Sequence, residues 1–337
     1  MDALVCLRPG ELAIERRQDP ERGAEDVLVR PRRIGICGTD YHIVEGKHPF
    51  LEYPRIMGHE LAVEVLEAPA NSAVSAGETY VVNPYISCGK CIACRAGKPN
   101  CCVRISVLGV HRDGGMATLL AMPERNLVKA DGLTVDQCAT VEFLAIGAHA
   151  VRRAQLGPED RVLVVGAGPI GLGAALFASL SAGDVTVMDI DRGRLDAARA
   201  IVPGLKAIAG GREAGAKVAS ATNGDGYDVV LDATGNPASI EKGFDFVAAG
   251  GRYVLISVVK GPIVFQDPDF HRKELTLLGS RNATSEDFER VIAAIRERRF
   301  DHGRLITHRT TLPDAVRDIP TWAIEKQGLI KAVITTD

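Results

Sequence analysis

Short apolar runs alternate with helical segments through the second half of the chain. The run over Arg161–Val165 leads into a glycine-rich turn and a helix, and a second run ends at Asp189. Further strands are predicted at 227–235, 251–257 and 274–280, with a helix near 238–248. Apolar strands alternating with helices are typical of a parallel sheet covered on both faces. We therefore predict a doubly wound parallel sheet with right-handed crossovers.

The first half has a different pattern of short strands and many turns, as over 114–130. This pattern predicts a β-rich domain, to which the chain returns near residue 290. We expect a β-rich domain over 1–147 with 290–337, and an α/β domain over 148–289.

The uncharged stretch Val162–Gly183 is long enough to span a bilayer. The glycines at 166, 168, 171 and 173, with Pro169, favour a strand, a turn and a helix over a membrane span. The N-terminus has an acidic second residue and only a short apolar stretch, so it does not resemble a signal peptide. We expect a cytoplasmic protein that contacts no membrane.

Composition narrows the partners further. The 337 residues are 46% hydrophobic and 25% charged, with a net charge of −3. This balance provides no long-range attraction for nucleic acid or anionic lipid. A small-molecule substrate is the expected partner, and a homo-oligomer, either dimer or tetramer, the expected assembly.

Five of the eight cysteines lie between residues 88 and 102. In a reducing compartment such a cluster binds metal or does redox chemistry more often than it forms disulfides. Four thiolates at these spacings can surround one zinc ion and leave no open position, so this zinc would be structural. The four predicted ligands are Cys88, Cys91, Cys94 and Cys102. Cys101 is left over, and exchange with Cys102 stays open, as do a disulfide and a redox pair.

A second group of metal-binding residue types lies upstream and downstream of this cluster. Cys37, His42, His59 and Glu60 fall in "GICGTDYHIVEG…GHE", and Glu142 begins "EFLAIGAHAVRR". A catalytic zinc takes three protein ligands and keeps one open position. Cys37 and His59 fit, and Glu142 is a plausible third. Each residue alone is more commonly a core or surface residue.

Taken in order, these segments resemble zinc-dependent medium-chain dehydrogenases of the alcohol, sorbitol and threonine dehydrogenase kind. The matching segments are 35–42, 58–60, the cysteine cluster, 141–153 and 162–175. The resemblance covers nearly the whole chain. It implies an α/β protein with a β-rich GroES-like catalytic domain, over 1–147 with 290–337, and a doubly wound, parallel-sheet Rossmann domain that binds a dinucleotide, over 148–289. The active site is expected between them.

The resemblance also implies roles for individual residues. Cys37, His59 and Glu142 would be the catalytic zinc ligands, and Glu60 would sit behind the metal, able to swap in. Thr39 would take the proton of the substrate and His42 would pass it to solvent. Asp40 would accept a hydrogen bond from His59, the kind of contact that orients a metal-bound imidazole. Many relatives have proline where this chain has Phe143.

The glycine-rich turn has the form expected of a dinucleotide site. Its residues are Gly166, Gly168, Pro169, Ile170 and Gly171. Such a turn lets backbone N–H groups at a helix N-terminus approach a pyrophosphate. Asp189, 18 residues after Gly171, could bind the ribose hydroxyls and repel a 2′-phosphate, which favours NAD.

Asp191 is the second choice for this acid. Arg192 and Arg194 are counter-evidence, because arginine can accommodate the phosphate of NADP. The resemblance places Thr234 and Val258 near the nicotinamide or its ribose, and Arg281 close to the cofactor. Arg194 is a further candidate for cofactor binding.

Together these observations predict an enzyme with two zinc ions per chain that oxidises a secondary hydroxyl with NAD. The substrate expected is a polyol or a C5 or C6 aldonate such as gulonate, galactonate or idonate. A carboxylate ligand suits a metal that takes extra oxygen ligands, and segment 43–60 resembles bacterial sugar-acid 5-dehydrogenases. The cationic candidates for a substrate carboxylate are Lys47, His48, Arg55 and Arg281.

Four alternatives stay open. The chain could be a zinc-dependent alcohol or L-threonine dehydrogenase, a zinc-free reductase, a non-catalytic binding protein on the same fold, or a cysteine-rich nucleic-acid module. The intact set Cys37, His59 and Glu142 argues against the zinc-free reductase. The net negative charge of the chain argues against the nucleic-acid module.

Overall fold

The structure, a computed structural model, describes residues 1–48 and 51–336. Pro49 and Phe50 of the segment 43–60 therefore lie outside the described residues. The chain forms two compact units. The first comprises Met1–Phe143 and Ala283–Asp337, and the second comprises Leu144–Asn282.

The strands, in chain order, are β1 Asp2–Arg8, β2 Glu11–Arg16, β3 Asp26–Ile36, β4 Arg55–Ile56, β5 Glu60–Glu67, β6 Thr79–Val82, β7 Tyr85–Ile86, β8 Ser106–Val107, β9 Leu120–Pro123, β10 Leu127–Lys129, β11 Arg161–Val165, β12 Asp184–Asp189, β13 Lys206–Ala209, β14 Tyr227–Asp232, β15 Val247–Leu255, β16 Thr276–Gly279, β17 Ile306–Thr311 and β18 Lys331–Thr335. The α-helices are α1 Gly38–Val44, α2 Ile92–Arg95, α3 Val135–Cys138, α4 Val141–Ala154, α5 Pro169–Ser179, α6 Arg192–Ile201, α7 Ala214–Ala221, α8 Pro237–Gly243, α9 Asp267–Arg272, α10 Ser285–Arg296 and α11 Ala315–Ile324. Short 3₁₀ helices lie at Pro99–Cys101, Glu124–Asn126, Phe244–Phe246 and His302–Arg304.

The first unit is built around β3. This strand pairs antiparallel with β5, β9 and β18, and the sheet continues in the order β10-β6-β5-β3-β18-β17. Separate small sheets have the order β2-β1-β4 and β7-β8. Since β18 lies beside β3, with Ala332 opposite Ile36, the C-terminal strand reaches the region that precedes Cys37.

The second unit is a six-stranded parallel sheet in the order β13-β12-β11-β14-β15-β16. Numbered from β11, this is the order 3-2-1-4-5-6 of the dinucleotide-binding fold. The two halves of the sheet diverge between β11 and β14, and ligands of such sheets bind outside the carboxyl ends of the strands at that point. The predicted Rossmann fold is confirmed.

Two element boundaries differ from those predicted by four residues or more. Strand β15 begins at Val247 rather than 251, and α8 ends at Gly243 before a 3₁₀ turn. The pair Gly250–Gly251 resembles a turn in the sequence, and Gly250 has φ +76°. The strand nevertheless continues through it with a register irregularity, because β14 and β15 pair on both sides of the glycines.

None of the helices in the described residues is long and apolar enough to cross a membrane. The uncharged stretch 162–183 forms most of β11, the glycine turn and α5.

Candidate metal centres and cofactor site

The start of α1 is tied to the segment that carries His59. Cys37 is the N-cap of α1, and the Asp40 carboxylate accepts its backbone N–H at 2.8 Å. The same carboxylate accepts the N–H of Gly58 at 3.3 Å. Asp40 is fully buried, and burial raises its pKa. Asp40 thus holds Cys37 and the residue before His59 together through backbone donors, rather than through the imidazole hydrogen bond expected from the resemblance.

Cys37, His59 and Glu60 form a compact donor group. Their ligand atoms lie within 4.8 Å of one another. His59 is 6% exposed, and its buried Nδ1 has no hydrogen-bond partner among the described residues. Burial alone would lower the pKa of His59, but Cys37 and the nearby carboxylates raise it well above its usual range. One thiolate, one imidazole and a carboxylate are the donors that catalytic zinc takes, so this group fits zinc.

Glu60 is also held by a buried cation. Lys331 Nζ lies 2.7 Å from both Glu60 carboxylate oxygens and donates to the Ile36 carbonyl at 3.2 Å. A Cβ at Gly35 would lie 2.1 Å from Glu60 Oε2, so the glycine of "GIC" leaves the room that Glu60 occupies. The Phe143 ring lies 4.4 Å from Lys331 Nζ. Phe143 therefore packs against the cation that pairs with Glu60.

Glu142 lies on the first turn of α4 and is 2% exposed. Its carboxylate accepts a hydrogen bond from the Tyr85 hydroxyl, and burial raises its pKa to about 7. Glu142 is not in the compact donor group of the described residues, although its charge contributes to the raised pKa of His59. The structure therefore places Glu142 next to the donor group with its carboxylate held by a phenol.

Thr39 and His42 lie on α1, three residues apart, so they share a helical face. Thr39 is half-buried, and its Oγ1 lies 3.7 Å from Cys37 Sγ. His42 is exposed, and partial burial of its ring lowers its pKa. The helix thus carries a hydroxyl beside the donor group and a basic imidazole one turn nearer to solvent.

The four predicted cysteines of the second cluster do come together. Their Sγ atoms lie within 4.8 Å of one another, with Cys91 Sγ 3.4 Å from Cys94 Sγ and 3.8 Å from Cys102 Sγ. A disulfide needs about 2.05 Å, and all eight cysteines are free. A zinc tetrahedron with Zn–S bonds of about 2.3 Å has edges of about 3.8 Å, so the spacing fits zinc. Cys101 is exposed and stands outside the cluster.

Backbone hydrogen bonds lower the pKa of Cys88 and Cys91, which favours the thiolate at these two positions, whereas burial raises the pKa of Cys94 to about 11. Backbone N–H donation, first from Lys90, lowers the pKa of Cys88 to about 5. The N–H groups of Cys88 and Arg104 point to Cys102 Sγ at 3.3 and 3.4 Å. Thiolate is the form that binds zinc.

In the second unit, the glycine turn lies at the carboxyl end of β11. Gly166 has φ +96°, a backbone conformation that favours glycine, and its N–H donates to Met188 O at 2.7 Å. A Cβ at Gly171 would lie 1.7 Å from Gly166 O. Gly168 is the N-cap of α5, and Pro169 and Ile170 begin its first turn. The N-terminus of α5 therefore lies open to an anion, as a pyrophosphate site requires.

Asp189 ends β12 beside this turn and is 8% exposed. It accepts the N–H groups of Ala167 at 2.6 Å and Asp191 at 2.8 Å. Arg194 lies on α6 with a guanidinium nitrogen 3.9 Å from the Asp189 carboxylate. Asp191 caps α6 by accepting the Arg194 N–H. The structure thus places Asp189, the acid expected to favour NAD, beside Arg194, one of the two arginines that could instead accommodate the phosphate of NADP.

The remaining cofactor candidates differ in their burial and in their contacts. Thr234 follows β14 and donates its hydroxyl to Asp232 at 2.7 Å. Asp232 is fully buried, burial raises its pKa, and sequence reasoning did not single it out. Val258 follows β15 and is 83% exposed. Arg281 follows β16 and has interactions of its own.

Two of the cationic candidates for a substrate carboxylate already have acidic partners. Arg55 pairs with Asp113 at 3.3 Å, and Lys47 pairs with Glu45 at 3.0 Å. His48 has an interaction as well.

Sequence reasoning also missed Tyr85 and Lys331. Lys331 contacts the carboxylate of Glu60 in the donor group, and Tyr85 contacts the neighbouring carboxylate of Glu142. Lys331 had a signal in the sequence, as a lone cation in the apolar strand "KAVIT". Tyr85 had none, because its partner lies 57 residues away.

Two family descriptions match the chain. They are the alcohol dehydrogenase GroES-like domain over residues 23–132 and the zinc-binding dehydrogenase over residues 169–297. The L-galactonate-5-dehydrogenase of Escherichia coli K12 is 40% identical over 338 residues, covering 99% of each chain.

Solved structures agree in fold over the full length. A short chain alcohol dehydrogenase, RspB, of Escherichia coli CFT073 with NADH has a TM-score of 0.92 at 28% identity, covering 99% of each chain. A structure from Sinorhizobium meliloti 1021 with NADP has a TM-score of 0.90 at 27% identity, covering 99% of this chain and 98% of that one.

Proposed function

The chain belongs to the zinc-dependent medium-chain dehydrogenase family, and on that premise we propose that it oxidises a secondary hydroxyl group of a sugar acid or polyol to a ketone with NAD. The observation that carries the chemistry is the donor group Cys37, His59 and Glu60, whose ligand atoms lie within 4.8 Å of one another. A metal ion is the ligand that this donor set fits.

We assign Cys37, His59 and Glu142 to the catalytic zinc, with Glu60 as the reserve carboxylate. Bound zinc supplies Lewis acidity that makes a substrate hydroxyl easier to deprotonate. Cys88, Cys91, Cys94 and Cys102 hold the structural zinc.

The proton leaves along α1. The Thr39 hydroxyl, next to Cys37, accepts the proton of the substrate hydroxyl and hands its own outward. His42 receives it, because its lowered pKa keeps the imidazole neutral and able to accept a proton at neutral pH. The exposed imidazole then exchanges the proton with water.

The carbinol hydrogen leaves as hydride to the nicotinamide ring, and the protein supplies position and electrostatics. The glycine turn and the N-terminus of α5 bind the pyrophosphate. Asp189 binds the ribose hydroxyls, and its negative charge disfavours the 2′-phosphate of NADP. The rest of the cofactor is contacted by four further residues with smaller contributions to binding, namely Thr234, Val258, Arg194 and Arg281.

The substrate class rests on the full-length similarity to an L-galactonate-5-dehydrogenase and on a donor set with a carboxylate. The cationic candidates for a substrate carboxylate remain Lys47, His48, Arg55 and Arg281. Arg55 and Lys47 have acidic partners, and His48 and Arg281 have interactions of their own. We also propose that the chain works in the cytoplasm as a dimer or tetramer. Residues 1–147 with 290–337 would form the catalytic domain, and 148–289 the cofactor domain.

The test is a ranking of kcat/KM, followed by NADH absorbance, across hexonates, hexitols, L-threonine and short alcohols, with NAD and NADP in parallel. We expect hexonates or hexitols with NAD to rank first. Best activity on L-threonine or a simple alcohol would replace the substrate class. Zinc-loaded protein that turns over none of them would favour a binding protein.

A further inference from the structure

Tyr85 is fixed by its backbone immediately before the cysteine cluster. It lies on β7, three residues ahead of Cys88, and β7 pairs antiparallel with β8 so that Tyr85 faces Val107. Its N–H donates to Asn83 Oδ1 at 3.1 Å. The side chain is 8% exposed. Its position is therefore set by a paired strand, not by a mobile loop.

The Tyr85 hydroxyl donates to Oε1 of Glu142, which is also buried. A phenol buried at this depth needs a polar partner, and Glu142 provides it. A carboxylate has two oxygens, so donation to one of them leaves the other able to bind a metal. A glutamate side chain has three rotatable bonds and loses conformational freedom when it is fixed. A rigid phenol that fixes it beforehand removes part of that cost from metal binding.

We propose that Tyr85 is a positioning residue for the catalytic metal: its hydroxyl orients Glu142 so that the carboxylate completes the site begun by Cys37 and His59. This inference rests on the proposed function, because it takes Glu142 as a metal ligand. Partners of this kind, which hydrogen-bond a metal ligand, typically change metal affinity by about 10- to 100-fold when they are removed.

The test uses Tyr85→Phe, which removes only the hydroxyl. Tyr80→Phe is the matched control, because Tyr80 is also buried and donates to a glutamate, Glu78 Oε2, at 3.0 Å, away from the donor group. Zinc-loaded proteins are dialysed against increasing chelator, and the zinc remaining per chain is measured. We expect Tyr85→Phe to lose one of its zinc ions at about 10- to 100-fold lower chelator, and Tyr80→Phe to follow the wild type.

Activity distinguishes positioning from damage to the fold. If Tyr85 acts by holding a metal ligand, excess Zn²⁺ restores most of the kcat of Tyr85→Phe. Wild-type zinc retention by Tyr85→Phe would overturn the inference, as would loss of activity that excess Zn²⁺ does not restore.

Cys37→Ser separates this inference from the proposed function. If Cys37→Ser loses one zinc ion per chain and Tyr85→Phe keeps both, only the proposed role of Tyr85 is wrong. If Cys37→Ser keeps both zinc ions, the proposed metal site itself is wrong.

Discussion

Lys331 Nζ lies 2.7 Å from both carboxylate oxygens of Glu60, and the side chains are 2% and 0% exposed. Although burial alone would lower the pKa of Lys331, the charge of Glu60 raises it. The C-terminal strand thereby places a permanent cation behind the donor group. With both oxygens engaged by Lys331, Glu60 can ligate a metal only by giving up part of this ion pair.

Lys331→Met should destabilise the first unit by about 3–5 kcal/mol, because removing one partner leaves a buried charge uncompensated. Urea unfolding of the zinc-loaded protein measures the change. The control is Lys242→Met, which breaks an equally short but exposed pair with Asp245 and should cost about 1 kcal/mol or less. Equal losses in the two variants would mean that the buried pair contributes little.

His42→Gln should slow oxidation by about tenfold or more near neutral pH. Since the pKa of His42 is lowered, the wild-type imidazole stays neutral at pH 7, and its rate should fall only at pH values below its usual pKa of about 6.5. A pH–rate profile of both proteins checks this, with added buffer base restoring part of the variant's rate. Identical profiles would mean that the proton leaves by another route.

Asp189→Ala should weaken NAD binding and reduce the preference of the enzyme for NAD over NADP. It removes a carboxylate that fixes the glycine turn through Ala167 N–H, and a lost hydrogen bond to a charged group corresponds to about tenfold in KM or more. The ratio of kcat/KM for the two cofactors measures the preference. Asp191→Ala removes only the cap of α6 and should leave the ratio unchanged. A wild type that prefers NADP would instead indicate that Arg192 or Arg194 binds the phosphate.

Asp136 should contribute to stability in a pH-dependent way. Arg309 and Arg33 each bind its carboxylate, at 2.6 and 2.9 Å, and lower its pKa. The contribution, about 1 kcal/mol, is present above the unfolded pKa of about 3.9 and is lost as pH falls through the lower folded value. Asp136→Asn should therefore be less stable than the wild type at pH 7, with the difference shrinking below about pH 4.

Urea midpoints of wild type and Asp136→Asn between pH 3 and 7 measure this difference. Asp131→Asn is the control, because its pair with Lys129 is exposed. A difference between Asp136→Asn and wild type that does not change with pH would show that the carboxylate charge is not responsible.

The fold was largely predictable because its signals are local. Each parallel strand is a short apolar run, and the glycine turn has its own spacing, so β11 was predicted at its observed bounds. The cysteine cluster was predictable for the same reason, since its four cysteines lie within fifteen residues.

The contacts around the donor group of Cys37, His59 and Glu60 could not be predicted in this way. Lys331 meets Glu60 across 271 residues of sequence, and Tyr85 meets Glu142 across 57. No periodicity connects such positions. The strand pairing that unites them depends on the whole first unit, as when β18 inserts beside β3.

Metal analysis of the purified protein should give about two zinc ions per chain, one for each donor group. Cys94→Ser should lose one, because three thiolates cannot close a tetrahedral shell around the ion. Since a structural zinc contributes directly to folding, the variant should also unfold at a lower temperature, by roughly 4 °C or more for a loss of about 2 kcal/mol.

The matched control is Cys101→Ser, an exposed cysteine next to the cluster but outside it, which should keep both ions and the wild-type Tm. Zinc content and Tm of the three proteins measure the outcome. One zinc per wild-type chain, with Cys94→Ser unchanged in content and Tm, would contradict the structural site and leave the first metal centre as the place of the single ion.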